Sequence, residues 1–192
     1  MRKNSRKGKA SSNTLRIIGG NWRSRKLNFI SVEGLRPTPD RVRETLFNWL
    51  QADIANARCL DLFAGSGALG LEAFSRGASS VVFVEKHRAV AKQLGQNLVL
   101  LNAECNVENT DAESYLSKAG EFFDIIFLDP PFRKNYLPKI LDGIIKQSLL
   151  KPSGLIYLEH EAEEGYNWQK WGLVELKSTQ AGQVKSTLLS YK

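Results

Sequence analysis

The sequence predicts an α/β fold with a doubly wound, mostly parallel sheet. From residue 58 onward, apolar β-branched runs alternate with helix-patterned segments through short connections, which is typical of repeated βαβ units. A glycine-rich segment follows the first of these runs, where such folds bind cofactors. The last two apolar runs are joined by a connection too short for a helical crossover, so the last strand should be antiparallel.

Composition supports one well-buried soluble domain, because the chain has 192 residues, 42% of them hydrophobic and 24% charged. No apolar run is long enough to span a membrane, and no apolar segment follows the basic amino terminus. We therefore expect a cytoplasmic protein without a secretory signal. Cys59 and Cys105 fall in predicted buried strands without Cys or His at metal-binding spacing, so we expect small core residues and no metal site.

The net charge of +7 is unevenly distributed along the chain. Residues 1–43 contain 12 Lys and Arg against two acidic residues, a net charge of +10. The remaining residues contain 15 basic against 18 acidic side chains, a net charge of −3. A near-neutral body with a basic amino-terminal arm indicates a polyanionic partner, with nucleic acid ahead of a membrane surface. For residues 1–13 alone, a solubilising tail is the alternative.

The chain is predicted to divide into a disordered basic tail at 1–13, an amino-terminal extension with a helix at 14–50 that would bind nucleic acid, and the main domain at 51–192. Within the extension, two short strands are predicted around a Gly19-Gly20 turn, with cations interleaved with apolar residues. Trp22 could stack on a base, the alternative being that it caps the core. The candidate RNA-binding residues are Arg16, Trp22, Arg23, Arg25, Lys26, Arg36 and Arg41.

A helix is predicted from residue 39, with Thr38 as its N-cap, Pro39 at its first position and Asp40 near its positive end. Its periodicity places Val42, Leu46, Trp49 and Leu50 on the buried face, and Arg41, Arg43, Glu44 and Asn48 away from it.

Downstream, each strand is predicted to lead into a helix. The predicted strands are 58–63, 80–85, 106–110, 123–129 and 154–159, and the helices are 67–75, 87–101, 112–119 and 137–149. A final hairpin is predicted from strands at 172–177 and 184–190.

The glycine-rich loop satisfies the dinucleotide fingerprint with Gly65, Gly67 and Gly70, and Glu85 follows about 20 residues later. Asp61 argues against a dinucleotide, because an acid at the end of the first strand would repel a pyrophosphate. A cofactor with a cationic amino group and no phosphate, S-adenosylmethionine, suits that position. Glu85 would then accept hydrogen bonds from the ribose hydroxyls.

Two further positions are candidates for contacts with the adenine. Asp111 could accept from the amine, although it is equally a helix N-cap, and Ala112 offers a backbone donor. His87 and His160 have no catalytic partner motif and are expected to be structural or surface residues. Lys86 adjoins Glu85 and is expected to be solvated rather than catalytic. The candidate cofactor residues are Asp61, Phe63, Gly65, Ser66, Gly67, Glu85, Lys86, Asp111 and Ala112.

The most distinctive stretch ends the fourth predicted strand, as Asp129-Pro130-Pro131-Phe132. Two prolines fix the backbone and remove donors, so the strand should end in a stiff, uncovered turn at the ligand-binding edge of the sheet. The Asp129 carboxylate and the Pro130 carbonyl could hold the two N–H groups of an exocyclic amine while Phe132 stacks on its ring. Taken alone, these residues are as consistent with a surface turn.

Together, Asp61-Leu-Phe-Ala-Gly-Ser-Gly, Glu85 and Asp129-Pro-Pro-Phe resemble class I, Rossmann-like S-adenosylmethionine-dependent methyltransferases that act on an exocyclic base nitrogen. Two amino-terminal segments, which begin at Arg16 and Leu35, resemble more closely the bacterial 16S ribosomal RNA guanine-N2 methyltransferases of the RsmD type. The resemblance covers about residues 15 to 190. Phe132 departs from the Tyr that is common at its position, which loses a hydroxyl and keeps the stacking face.

The resemblance implies a seven-stranded sheet and one methyl transfer to the 2-amino group of a single guanine. It also implies S-adenosyl-L-methionine as cofactor and the 30S subunit or an assembly intermediate as partner. We further expect a monomer that binds neither a metal nor a membrane. Asp129, Pro130, Pro131 and Phe132 would be its catalytic residues. An adenine-N6 methyltransferase and a non-catalytic rRNA-binding assembly factor remain alternatives, and a protein glutamine methyltransferase would leave the basic arm without a target.

Overall fold

The computed structural model describes residues 13–30, 32, 37–132 and 136–192, so most of the predicted tail and the candidate Arg36 lie outside the described residues. The strands are β1 (Asn13–Arg16), β2 (Lys26–Phe29), β3 (Arg58–Asp61), β4 (Ser80–Val84), β5 (Asn106–Glu108), β6 (Phe123–Leu128), β7 (Leu150–Glu161), β8 (Leu173–Ala181) and β9 (Val184–Tyr191). The α-helices are α1 (Asp40–Trp49), α2 (Ala68–Ser75), α3 (Arg88–Leu101), α4 (Ala112–Leu116) and α5 (Tyr136–Lys146).

Seven strands form one sheet in the order β5-β4-β3-β6-β7-β9-β8. The pairs from β5 to β7 are parallel, and β9 is antiparallel to both of its neighbours. The predicted doubly wound, mostly parallel sheet with an antiparallel last strand is therefore confirmed. The order reverses at β3, so the carboxyl ends of β3 and β6 flank the switch point, where open α/β sheets bind ligands.

Both faces of the sheet are covered, as a parallel sheet requires. One face packs against α1, α2, α3 and the β1–β2 hairpin, and the other packs against α4, α5 and a short 3₁₀ helix at Trp168–Trp171. On the first face, the ring of Phe127 lies between Phe47 and Tyr157, with ring centroids 6.1 and 6.5 Å away. In the described part of the chain, no helix is long and apolar enough to cross a membrane.

Several predicted boundaries are wrong by a few residues. β3 ends at Asp61, because the following loop crosses to β4, where Ala64 N–H donates to the carbonyl of Val84 (2.9 Å). β7 begins before the predicted residue 154, because a register shift opposite Phe123 accommodates the intervening proline. Cys59 is buried in β3 as predicted, whereas Cys105 precedes β5 and is only partly buried.

The remaining boundary corrections concern helices and the final hairpin. α2 begins at Ala68, α3 at Arg88 and α5 at Tyr136, while α4 and α5 end at Leu116 and Lys146. The strands β4 and β5 end at Val84 and Glu108, and β8 continues to Ala181, so the final turn is Gly182-Gln183 with Gly182 at φ +63°.

The predicted hairpin turn at Gly19-Gly20 is wrong. β1 pairs with β2 from Arg16↔Lys26 outward, and a 3₁₀ turn at Gly20–Trp22 lies in the connection. Gly20 has φ +71°, and a Cβ there would lie 1.8 Å from the carbonyl oxygen of Ser75. The glycines are thus needed because the connection packs directly on the end of α2.

The predicted start of α1 is also wrong. Pro39 is the N-cap, and its carbonyl accepts from the N–H groups of Val42 and Arg43 (3.0 and 3.1 Å). Thr38 precedes the cap and is buried, and its hydroxyl donates to Glu159 on β7 instead of capping the helix. The prediction failed because the hydroxyl has a tertiary partner that sequence spacing does not reveal.

Arg43 was predicted to point away from the core and is instead buried, with 1% of its surface exposed. Its guanidinium donates to Asp40 Oδ1 (2.6 Å), to the carbonyls of Arg16 (2.8 Å) and Thr38 (3.2 Å), and to Glu72 Oε2 (3.4 Å). Glu72 on α2 is fully buried, and it also accepts from Ile18 N–H (2.9 Å) and Arg76 Nε (2.7 Å). This network joins β1, α1 and α2, because each buried charge has its partners there.

Glu72→Ala should lower the free energy of unfolding by about 3 to 5 kcal/mol, because it removes the buried carboxylate that accepts from the Arg43 and Arg76 guanidinium groups and from Ile18 N–H. Urea unfolding followed by circular dichroism measures the loss. The matched control is Glu121→Ala, which breaks the exposed pair with Arg58 (2.6 Å) and should cost less than about 1 kcal/mol. Equal losses in the two variants would contradict a structural role for the buried network.

Candidate active site

Three acidic residues lie at the carboxyl edge of three neighbouring strands. Asp61 ends β3, Asp129 directly follows β6, and Glu159 lies near the end of β7. The register pairs Asp61 with Phe127 and Leu128 with Leu158, so the three strand ends lie side by side. The residues that directly precede the three acids face one side of the sheet. Because side chains alternate along a strand, the three acids share the opposite side.

Asp61 is almost fully buried, and its carboxylate accepts hydrogen bonds from the N–H groups of Gly70 (3.0 Å) and Phe63. Burial raises the pKa of Asp61 to about 7, and the negative charge of Glu85 adds to this effect. The two N–H donors oppose the rise without cancelling it. Asp61 therefore titrates near neutral pH.

The turn at Asp129-Pro130-Pro131-Phe132 is less open than predicted. Asp129 is partly buried and Pro130 is buried, while Phe132 has 39% of its surface exposed. The uncovered turn was predicted from the prolines alone, and the neighbouring β7 covers its acidic end. Burial raises the pKa of Asp129 well above its usual range, with further contributions from the negative charges of Glu159 and Asp61.

A shallow, open cavity adjoins this turn. Pro130, Pro131 and Phe132 form one side, so the aromatic ring is available to a planar ligand. The other side is formed by residues of α5, β7 and the loop after β7, which are Tyr136, Leu137, Glu159, His160, Glu161, Glu164 and Tyr166. The cavity combines an aromatic wall with acidic groups, a combination that suits a base carrying N–H donors.

Glu159 was not identified from the sequence. Its Oε1 accepts from the Tyr157 hydroxyl (2.7 Å), and the Thr38 hydroxyl donates to the same carboxylate. The Tyr157 hydroxyl also lies 3.1 Å from Ser186 Oγ on β9. A usable signal was present, because Glu159 ends the predicted strand adjacent to that of Asp129, and neighbouring parallel strands end at one edge.

The glycine-rich loop curves tightly between β3 and α2. Gly65 and Gly67 have φ +50° and +79°, and a Cβ on Gly67 would lie 2.5 Å from Leu94 Cδ1. The loop is held by Glu85, whose Oε2 accepts from Gly65 N–H (2.9 Å) and whose Oε1 accepts from His87 N–H (2.6 Å). Ser66 is buried within the loop. The loop brings its backbone close to the edge occupied by the acids.

The residues predicted to contact the adenine and ribose lie at the ends of β4 and β5. Glu85 directly follows β4, Lys86 beside it is exposed, and Ala112 begins α4. Asp111 is the N-cap of α4, which was the alternative interpretation of this residue. Its carboxylate accepts from Ser114 N–H (2.9 Å) and from the Ser114 hydroxyl (2.7 Å), and these bonds lower its pKa. Asn109, which the sequence analysis missed, donates to the carbonyls of Glu85 (2.8 Å) and Lys86 (3.1 Å).

The charge balance of the edge fits a cationic ligand. Within the described residues, none of the ion pairs includes Asp61, Asp129 or Glu159. Burial raises the pKa of Asp61 and of Asp129, and the negative charges of neighbouring carboxylates add to both rises. A ligand with an ammonium and a sulfonium would relieve the repulsion, whereas a pyrophosphate would increase it.

The candidate RNA-binding side chains that the structure describes surround the β1–β2 hairpin and the first turn of α1. Arg23, Arg25, Lys26 and Arg41 are exposed, and Arg16 is exposed but paired with Asp40 (2.8 Å). The ring of Trp22 is partly buried and stacks on Phe74, with centroids 5.3 Å apart. Trp22 therefore packs on the core, which was the alternative to stacking on a base.

The two histidines differ in burial. His87 is exposed at the start of α3, whereas His160 is buried against Tyr166 and Trp168, which lowers its pKa. Across the described ranges, no group of His, Cys, Asp and Glu could hold a metal ion.

Known proteins are similar to this chain over most of its length. The chain is 50% identical over 157 residues to the ribosomal RNA small subunit methyltransferase D of Escherichia coli, covering 81% of this chain and 79% of that protein. It is 44% identical over 171 residues to the protein of the same name from Haemophilus influenzae, covering 86% and 89%. The solved structure of yhhF from Escherichia coli superposes with a TM-score of 0.87 at 45% identity, covering 94% of this chain and 99% of that one.

The family described as conserved hypothetical protein 95 matches residues 15–190, from β1 to the end of β9. That span includes the whole sheet, the glycine-rich loop and the acids Asp61, Asp129 and Glu159. The chain therefore belongs to this family, and it groups with the small subunit methyltransferases D.

Proposed function

We propose that this protein transfers a methyl group from S-adenosyl-L-methionine to the exocyclic N2 of a guanine in 16S ribosomal RNA. The observation that carries the proposal is the turn after β6, where Asp129 directly precedes Pro130 and where Pro130, Pro131 and Phe132 line a cavity with an aromatic wall beside the acidic strand ends. The names of the relatives supply the small subunit RNA as the substrate class.

The glycine-rich loop and the ends of β3, β4 and β5 form the cofactor site in this proposal. Asp61 attracts the ammonium, the backbone of Gly65, Ser66 and Gly67 lies against the amino-acid portion, and Phe63 lies beside it. Glu85 keeps a lone pair on each oxygen for the ribose hydroxyls, beyond those that accept from Gly65 and His87. Asp111 and Ala112 face the adenine, and Lys86 lies at the rim.

The acceptor site is the turn that follows β6. The Asp129 carboxylate and the Pro130 carbonyl accept the two N–H groups of the guanine 2-amino group, and Phe132 stacks on the base after it leaves its stack. Bound S-adenosylmethionine supplies the methyl group on a sulfonium. Holding the nitrogen in line with that methyl group accounts for most of the acceleration, because positioning lowers the entropic part of the barrier.

The exposed cations around the β1–β2 hairpin contact RNA phosphates in this proposal. They lie on the face of the domain that carries α1 and α2, and Ser75 Oγ fixes the connection by donating to Gly19 O (2.6 Å) and accepting from Trp22 N–H (2.9 Å). The preferred substrate is the 30S subunit or an assembly intermediate in the cytoplasm, and the enzyme acts as a monomer.

Asp129→Ala should reduce methyl transfer by at least about a thousandfold, because it removes the group that orients the amine and stabilises its developing charge. Affinity for S-adenosylmethionine should stay within about threefold of the wild type, since Pro130 and the glycine-rich loop are unchanged. Tritiated-methyl transfer to 30S subunits from a strain lacking the enzyme measures the first quantity, and calorimetry measures the second.

Mass spectrometry of the RNA digest identifies the product of the same reaction. N2-methylguanosine is expected. Label in adenosine would indicate an adenine-N6 enzyme, and no label from the wild type would indicate a non-catalytic factor. An Asp129→Ala variant with transfer within tenfold of the wild type would remove Asp129 from the mechanism.

The affinity for S-adenosylmethionine should increase as the pH rises through about 7, because the pKa of Asp61 is about 7 and only its ionised form attracts the ammonium. Asp61→Asn should bind at least about tenfold more weakly at pH 8 and lose most of this dependence. Calorimetric titration from pH 5.5 to 8.5 tests it. The control is Asp53→Asn, an exposed carboxylate in the loop after α1, which should behave as the wild type. A pH dependence that persists in Asp61→Asn would assign it to another group.

The double variant Arg23→Gln, Arg25→Gln should weaken RNA binding and reduce the slope of log affinity against log salt by about 1 to 2, because each lost phosphate contact removes about 0.7 to 0.9. The matched control is Lys118→Gln, Lys146→Gln, which removes two exposed cations from the ends of α4 and α5. Filter binding from 50 to 300 mM salt compares them. Equal slopes in the two variants would separate the hairpin from RNA binding. Deleting the hairpin is unsuitable, because Leu15, Ile17 and Leu27 belong to the core.

A further inference from the structure

Two carboxylates, those of Asp129 and Glu159, lie at the proposed acceptor site, which we call the catalytic corner. Leu128 of β6 lies opposite Leu158 of β7, so the next residues along these parallel strands, Asp129 and Glu159, are neighbours at the same edge. Glu159 has only 6% of its surface exposed and lines the cavity beside Pro130 and Phe132. Within the described residues, no Lys or Arg forms an ion pair with either acid.

The two carboxylates have different hydrogen-bond environments. Burial raises the pKa of Glu159, but the Tyr157 hydroxyl (2.7 Å) and the Thr38 hydroxyl donate to its carboxylate, and both bonds oppose that rise by favouring the ionised form. For Asp129, desolvation and two neighbouring negative charges all act in the opposite direction. When two such groups interact strongly, the first proton binds to the group with the less stabilised charge. That group is Asp129.

We propose that Glu159 is a positioning residue that makes Asp129 the proton acceptor of the methyl transfer. This inference rests on the proposed function for its chemistry, and on the packing of five strand and loop segments for its geometry. The groups that interact with the pair are Asp61 from β3, Tyr157 from β7 and Thr38 from the segment before α1, and Ser186 from β9 bonds the Tyr157 hydroxyl. The cavity that Glu159 lines also contains the titratable residues His160, Glu161 and Glu164, and burial lowers the pKa of His160. None of these side chains is a Lys or an Arg.

The proton balance of the reaction explains why a proton acceptor is needed. The guanine nitrogen forms a bond to the methyl carbon as the bond from carbon to sulfur breaks, and the sulfur leaves as a neutral thioether. The nitrogen then carries a positive charge and one hydrogen too many. Asp129, already bonded to that amino group, takes the proton and later releases it to water. A carboxylate of ordinary pKa is a weak base at neutral pH, and the fixed charge of Glu159 strengthens it.

The direct test measures the ionisation of Asp129 in the cofactor-free protein. Carbon-13 NMR of protein labelled at the aspartate carboxyl groups follows each midpoint, and the Asp129 signal is assigned by its absence in Asp129→Asn. In the wild type, Asp129 should titrate well above an ordinary aspartate. In Glu159→Gln, which keeps the shape of the side chain and removes its charge, that midpoint should fall by about one pH unit or more.

A second variant keeps the test valid if Glu159→Gln fails to fold. Tyr157→Phe removes a donor to Glu159 and disfavours its charge, so the proton shared by the pair moves toward Glu159 and the Asp129 midpoint also falls. The control is Glu163→Gln, an exposed carboxylate in the loop after β7, which should leave the midpoint unchanged. An Asp129 midpoint that stays in place in both Glu159→Gln and Tyr157→Phe overturns the proposal.

The kinetic counterpart uses the pH dependence of single-turnover methyl transfer to 30S subunits. The acidic limb of the wild type should shift to lower pH in Glu159→Gln, and the rate at its plateau should fall at least about tenfold as the base weakens. A lower rate with an unmoved limb would show that Glu159 acts on folding or on base recognition instead. Because the NMR titration needs neither cofactor nor RNA, it can fail while the methyltransferase function stands, and the reverse also holds.

Discussion

The register of three parallel strands is the constraint on which the rest of the site depends. Because β3, β6 and β7 pair side by side, Asp61, Asp129 and Glu159 are brought to one edge regardless of their separation in sequence. Hydrophobic burial on both faces of the sheet fixes that register, since a slip of one residue would turn the core residues outward. Three desolvated carboxylates are unfavourable together in the free protein. The same repulsion favours a cationic ligand and disfavours a phosphate, so the core selects the class of cofactor.

The amino-terminal hairpin is joined to the catalytic domain by buried polar bonds. Arg43 links α1 to Glu72 on α2, the helix that begins at the glycine-rich loop, and Thr38 reaches Glu159 in the catalytic corner. The hairpin contributes apolar side chains to the same core as the sheet. The exposed cations are therefore held in a fixed relation to the cavity. A surface that binds RNA phosphates there would present a base to the corner without a hinge between them.

The sequence predicted the features that depend on local pattern. The parallel sheet follows from apolar runs, the glycine-rich loop from residues that need positive φ, and the turn after β6 from two prolines. Arg43 was misplaced because helical periodicity assigns a cation to solvent unless its partner is known, and Glu72 lies 29 residues away. Thr38 was misplaced for the same reason, since its partner is on β7. Glu159 could have been found by applying the strand-end rule to every predicted strand.

The pair of Asp129 and Glu159 also bears on a conflict between binding a cationic cofactor and keeping a strong base beside it. A sulfonium and an ammonium beside a single carboxylate would lower its pKa, and a weaker base would then face the amine at the moment when it must take a proton. A second carboxylate opposes that effect, because its negative charge offsets part of the positive charge of the ligand. The second carboxylate must itself ionise although burial raises its pKa, and the bonds from the hydroxyls of Tyr157 and Thr38 oppose that rise. In the proposed mechanism, the asymmetry of the two environments separates the charge that attracts the cofactor from the base that takes the proton.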